Sequence, residues 1–193
     1  MRYKYVFCFI FLIVAVSSIG CKQTNEQLIH EGVRLLNQGD NAGALKDFSE
    51  VIGRNSKLQV AYYDRALCYS NMKEYDKAIK DLNKILKLQG SGPLVMVMNP
   101  NSPFASEEDK SQVPRTTVLF ERATVNYYID SLKSSFSDFK SCLENNYQES
   151  KCYLWMGTIY IRTGNKAKGC DFYQKAKLMG DDEAEKMITG NCN

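Results

Sequence analysis

The sequence repeats itself with a period of about 34 residues, and that period leaves few folds open to it. Leu28, Gly32, Leu35, Ala44, Phe48 and Val51 align with Tyr62, Ala66, Tyr69, Ala78, Leu82 and Ile85, each one period further on. The same register returns downstream, where Leu119, Ala123, Asn126, Phe139 and Cys142 align with Tyr153, Gly157, Tyr160, Tyr173 and Ala176. Between the two blocks, from Ala66 to Ala123, the step is longer than one period, so an insertion separates them. The strings Asp64-Arg65-Ala66 and Glu121-Arg122-Ala123 tie the second copy to the third. Units of this size bury an apolar face by stacking on their neighbours.

Local signals divide each unit into two antiparallel helices. Gly39-Asp40 and Gly164-Asn165 each supply a helix-ending glycine followed by a capping side chain. The spacing predicts helix pairs over 25–38/41–54, 58–71/75–88, 115–129/132–145 and 150–163/166–179, then a short helix over 181–190. Only four prolines are present, which suits long helices better than a turn-rich β architecture. Small residues recur where the two helices of a unit would touch. Gly32, Ala66, Ala123 and Gly157 hold one such place, and Ala44, Ala78, Ser135 and Gly169 the other. Small side chains there bring helix axes to the near end of the usual separation of about 8–10 Å.

This pattern resembles the tetratricopeptide repeat, a pair of helices, A and B, with small residues at its eighth and twentieth places. The resemblance implies an all-α fold: a right-handed superhelical solenoid of about four helix pairs with a C-terminal capping helix. The repeats would span about 25–58, 59–88, 116–149 and 150–181 within a domain over 25–193, with an insertion at 89–114 and the cap at 181–190. Three of the four prolines fall between 93 and 103 in that insertion, beside the apolar run Leu94–Met98. Three roles stay open for it: packing back on the solenoid, covering the groove, or standing free as an interaction strand.

The N-terminus has a separate logic. Arg2 and Lys4 precede an unbroken apolar run from Val6 to Val16, followed by Ser17, Ser18, Ile19, Gly20 and Cys21. The run is too short for a membrane-spanning helix, which needs about 20 apolar residues, and has the order of a secretory signal. Its end resembles the lipobox of bacterial lipoproteins. That resemblance implies a signal peptide over 1–20, acylation of Cys21, and a tether over 21–24 in the bacterial cell envelope. By the sorting rule of double-membrane bacteria, Lys22 favours the outer membrane, facing either the periplasm or the surface. Acyl chains anchor durably, because each buried methylene adds about 0.8 kcal/mol.

Composition narrows the function. Loss of Arg2 and Lys4 takes the net charge from +3 to +1, which gives no warrant for a nucleic-acid partner. The one histidine, His30, stands in the first A helix without a catalytic companion. Cys-x-x-Cys pairs, histidine clusters, glycine-rich phosphate loops and Gly-x-Ser-x-Gly elbows are all absent from the sequence. Asp181-Asp182-Glu183 opens a helix and reads as capping charge rather than as a metal site. A non-enzymatic protein without metal or cofactor is the expectation.

Five cysteines remain beyond Cys8 and Cys21: Cys68, Cys142, Cys152, Cys170 and Cys192. From Cys170 to its helix end is about 8 residues, or ~12 Å, and the capping helix returns by a similar rise to Cys192. A Cys170–Cys192 disulfide is therefore expected. Cys142 and Cys152 flank a turn, and the same reasoning allows a second pair, the alternative being five ordinary small apolar packing residues.

The family resemblance also implies where partners bind. In tetratricopeptide proteins the A helices line the concave face. The matching places here are Ile29, Val33, Tyr63, Asp64, Leu67, Phe120, Glu121, Thr124, Tyr127, Leu154, Trp155, Thr158 and Arg162. Tyr63, Phe120, Tyr127 and Trp155 are the expected anchors, since aromatic residues concentrate binding energy. The expected function is a membrane-anchored scaffold that holds a protein or peptide partner in this groove. The alternative is a small-ligand envelope receptor with the 89–114 insertion covering the groove.

Overall fold

The computed structural model describes residues 22–90 and 111–192. These residues form nine helices: α1 (Asn25–Asn37), α2 (Asn41–Arg54), α3 (Gln59–Asn71), α4 (Tyr75–Gln89), α5 (Arg115–Tyr128), α6 (Leu132–Glu144), α7 (Glu149–Arg162), α8 (Lys166–Leu178) and α9 (Ala184–Asn191). They pair as four hairpins, α1/α2, α3/α4, α5/α6 and α7/α8. Each B helix packs in turn on the A helix of the next hairpin, and α9 covers the exposed flank of α8. The result is an all-helical solenoid.

The small places do what their spacing predicts. All eight are buried, and the large residues Phe48, Leu82, Phe139 and Tyr173 fill the seams beside them. A Cβ added at Gly32 would stand 2.7 Å from Phe48 Cε1, and one at Gly157 2.7 Å from Tyr173 Cδ1. In the third hairpin the twentieth place is Ser135, fully buried, and its hydroxyl donates to the Ala123 carbonyl at 2.7 Å. The polar group therefore enters the crossing at no desolvation loss.

The turns inside the hairpins share one backbone solution. Gly39 and Gly164 take φ +83°, and the equivalent places in the middle hairpins are Lys73 at 60° and Asp130 at 62°. Non-glycine residues in this region cost about 1–2 kcal/mol. Side-chain caps follow the glycine turns: Asp40 accepts from the Gly43 N–H at 2.9 Å, and Asn165 from the Lys168 N–H at 3.2 Å. Glu74 and Ser131, which open α4 and α6, make no such bond.

One end of the insertion is anchored. The Ser111 carbonyl accepts from the Val60 N–H at 3.0 Å and so satisfies a free donor at the start of α3. Gln59 accepts from the Gln89 amide at 2.9 Å and from the Val113 N–H at 3.3 Å, and Val113 is buried. Residues 91–110, with the Leu94–Met98 run, lie outside the described residues. So do the N-terminal segment and Cys21. Among the described residues no helix is long and apolar enough to cross a membrane.

At the other end, α9 starts at Ala184 rather than at 181. Asp181 is consumed by the turn before it, accepting from the Glu183 N–H at 3.0 Å through its side chain and pairing with Lys151 at 3.2 Å. Cys170 and Cys192 are disulfide-bonded, with Cα atoms 5.7 Å apart, which ties α9 to α8. The second pairing is corrected. Cys142 and Cys152 are free, buried thiols. Cys142 donates to the Thr116 carbonyl at 3.5 Å and Cys152 to the Tyr147 carbonyl at 3.4 Å, and the two thiols also meet each other, which together with burial raises the Cys152 thiol.

Candidate functional site: the A-helix face

Helix periodicity assigns each A-helix side chain to one of two sides. In α3, Tyr62, Arg65, Ala66 and Tyr69 turn toward the B helices, because successive residues rotate by about 100°. Arg65 fixes that side: it reaches Asp81 of α4 by two bonds of 2.8 Å and Ser49 of α2 at 3.2 Å. Its repeat partner Arg122 does the same from α5, with two 2.8 Å bonds to Asp138 of α6 and one of 2.7 Å to Asn83 of α4. Asp81 and Asp138 are both buried. The related Asp-Arg-Ala and Glu-Arg-Ala strings stand out in the sequence, whereas the B-helix aspartates that receive each arginine do not.

Tyr63, Asp64, Leu67 and Ser70 occupy the opposite side of α3, and Phe120, Glu121, Thr124 and Tyr127 that of α5. Tyr63, Leu67, Phe120, Glu121, Thr124 and Tyr127 are all half-buried. Glu121 accepts a hydrogen bond from Ser70, which joins the two A helices across the seam. Burial raises the Glu121 carboxyl, with Ser70 partly opposing the shift. Burial also pushes the Tyr63 phenol up, with Glu121, Tyr147 and Asp64 adding to it. Asp64 is buried, its Oδ2 has no hydrogen-bond partner, and burial alone lifts its carboxyl to about 6.

The C-terminal half of the face is aromatic. Tyr127 meets Trp155 edge-on at 5.2 Å, and Trp155 stacks on the buried Phe139 at 6.0 Å. Phe120 packs edge-on against Phe139 at 5.4 Å and Tyr147 at 6.0 Å. These contacts make Trp155 and Phe120 partly structural. Tyr128, at 51% exposed, extends the aromatic surface, and sequence reasoning did not include it. It stacks on Tyr75 at 5.4 Å across the repeat boundary. Arg162 lies over the Tyr127 ring, donates to its carbonyl at 3.0 Å and pairs with Asp130 at 3.0 Å.

Two expected groove residues turn toward the C-terminal core. Leu154 is only 4% exposed and packs with Tyr173, Ala176 and Ala184, so it belongs to that core and offers no surface. Thr158 is half-buried, and its hydroxyl accepts from the Tyr173 phenol at 3.2 Å. In the first repeat, Ile29 and Val33 are half-buried and His30 is exposed. A second concavity was not foreseen. An apolar hollow of about 320 Å³ opens between α6 and α7, lined by Leu132, Phe136, Ile159 and Tyr160 among others. Among the described residues no group of three or more metal-binding side chains comes together.

Residues 60–91 and 150–179 each match the tetratricopeptide repeat. Over 75 residues the chain is 35% identical to mitochondrial import receptor subunit TOM34 of Homo sapiens, a match covering 39% of this chain and 24% of that one. It is 19% identical over 147 residues to TPR repeat-containing protein MJ1428 of Methanocaldococcus jannaschii, covering 76% of this chain and 22% of the other. The chain thus spans about a quarter of the length of these relatives. Among solved structures, MamA aligns with a TM-score of 0.60 at 16% identity, over 79% of this chain and 70% of that one. A thermophilic TPR protein of Thermus thermophilus aligns with a TM-score of 0.59 at 13% identity, over 86% and 79%. This chain carries tetratricopeptide repeats and folds as a tetratricopeptide-repeat solenoid.

Proposed function

We propose that this protein is a non-enzymatic scaffold, tethered to the bacterial cell envelope through acylated Cys21, that binds a protein or peptide partner across its A-helix face. The observation that carries the reading is the face itself. Half-exposed aromatic and aliphatic side chains from α3, α5 and α7, some of them also packed on the core, stand beside two carboxylates that have no countercharge among the described residues. Aromatic residues supply large contact areas at modest entropic cost, which suits protein recognition. Tetratricopeptide repeats serve generally in protein–protein interaction, and one relative of part of this chain is named an import receptor subunit. The anchor rests on the Arg2–Cys21 sequence alone.

Capture by cross-linking from envelope extracts tests the binding face. The full chain should enrich a defined partner, and a Tyr63→Ala/Leu67→Ala/Tyr127→Ala variant should lose it. A Lys80→Ala/Lys140→Ala control on exposed B-helix positions should retain it. Equal capture by both variants would contradict the assignment. Labelled palmitate should appear on the wild-type chain and not on Cys21→Ser.

A further inference from the structure

Among the described residues, two acids on the A-helix face are left without a countercharge, and the repeat itself explains why. Asp64-Arg65 and Glu121-Arg122 each set an acid beside a base in sequence. Neighbouring helix residues point about 100° apart, so the two do not meet. The arginines turn to the B helices and are used up on Asp81 with Ser49 and on Asp138 with Asn83. The acids turn to the seam between their own A helix and that of the preceding repeat. Glu121 finds Ser70 there. In the first repeat the places equivalent to Ser70 and Tyr63 are Leu36 and Ile29, so at those two places α1 carries no hydroxyl donor. Asp64 is accordingly 9% exposed with Oδ2 unpartnered. A carboxylate so placed is a standing cost to the free protein, relieved when a donor arrives. Further along this face, Arg162 is engaged by Asp130 and Tyr127.

We infer that Asp64 and Glu121 receive two cationic side chains, lysine or arginine, from an extended peptide segment lying across the A helices of the second and third repeats. The inference rests on the proposed use of this face and names the partner's chemistry. The acids hold the same place in the consecutive A helices α3 and α5, which lie side by side but pack less directly than the two helices of a hairpin do. Directly packed helix axes are about 8–10 Å apart and an extended chain advances about 3.3 Å per residue, so the two basic residues stand three or more positions apart. Aromatic neighbours such as Tyr63, Phe120 and Tyr127 would take the apolar residues between and beyond them.

Short fluorescein-labelled peptides with an alanine–tyrosine background test this by fluorescence anisotropy against the full chain. The set varies the spacing of two lysines and includes a glutamine counterpart of each. The best-spaced peptide, with its lysines three or more positions apart, should bind about tenfold more tightly than its glutamine counterpart. D64N/E121Q should erase that difference without lowering Tm, since both substitutions keep the side-chain shape. If lysine and glutamine peptides bind alike, yet Tyr63→Ala or Leu67→Ala weakens both, the dication reading falls and the binding face stands. If no peptide binds, or binding ignores every one of these substitutions, both fall. A Ca²⁺ or Mg²⁺ stabilisation lost in D64N/E121Q would also overturn the inference, by assigning the acids to metal.

Discussion

Replacing Gly157 by alanine loads one of the closest helix crossings in the solenoid. The added Cβ would stand 2.7 Å from Tyr173 Cδ1, 2.8 Å from Cε1 and 3.0 Å from the Gly169 carbonyl oxygen. Carbon atoms pack best at about 3.5–4.0 Å, so the ring would have to move by nearly 1 Å. It has little freedom to do so: Tyr173 is 1% exposed and its phenol is held by Thr158, while the Gly169 oxygen is backbone. Overpacking of this kind costs about 1–3 kcal/mol. Alanine also gains about 1 kcal/mol of helix propensity over glycine. With ring and backbone oxygen both too close, the cost falls at the upper end of that range, so the net expectation is a loss of about 1–2 kcal/mol, or roughly 2–8 °C in Tm for a chain of this size. Gly53→Ala is the matched control, since Gly53 lies in α2 with nothing within 4 Å of its added Cβ. There the same substitution should stabilise by about 0.5 kcal/mol. Thermal melts and urea titrations of the two variants with the disulfide intact give the comparison. A Gly157→Ala protein as stable as wild type, or shifts of the same sign in both, would refute the close-crossing argument. Tyr173→Leu should then couple to Gly157→Ala by about 1 kcal/mol in a double-mutant cycle.

Asp64→Asn should stabilise the free protein at neutral pH. The folded carboxyl titrates at about 6 against an ordinary 3.8, so folding keeps its proton over that window and stability falls as pH rises through it. The full penalty, about 3 kcal/mol as an upper figure, applies above pH 6. The difference between variant and wild type in urea midpoints should therefore be largest at pH 7 and vanish near pH 4. Opening the Cys170–Cys192 bond, which closes a separation of 22 residues, should cost about 3 kcal/mol. Comparing Tm of C170S/C192S with wild type reads this, and hydrogen exchange should show α9 fraying first. Lys73→Gly should raise stability by up to about 1 kcal/mol, because Lys73 holds φ 60° where the first and last hairpins use glycine. A drop in its melting temperature would contradict that account of the turn.

Parts of the structure that depend on single-residue size were legible in the sequence. Gly32 against Phe48 and Gly157 against Tyr173 recur at fixed spacing, and only a close helix crossing needs that alternation. The capping roles of Asp40 and Asn165 follow equally from local chemistry. What escaped depends on a second residue far along the chain. Leu154 sits at a groove-lining place, yet α9 adds Ala184 above it and makes it core. The left-handed turns at Lys73 and Asp130 carry no glycine to announce them. Cys142 and Cys152 flank the expected turn, but the Thr116 and Tyr147 carbonyls engage them as thiols. The isolation of Asp64 was visible only once Leu36 and Ile29 were set against Ser70 and Tyr63, a comparison between repeats rather than within one.

Hydroxyl-radical footprinting of the full chain with and without its captured partner tests the proposed binding face most directly. Tyr63, Phe120, Tyr127, Tyr128 and Trp155 should lose oxidation in the complex, while Phe136, Tyr160 and Phe172, which line the other flank, should not change. Protection of Phe136 and Tyr160 with Tyr63 and Tyr127 still oxidised would move the partner to the hollow between α6 and α7 and contradict the account.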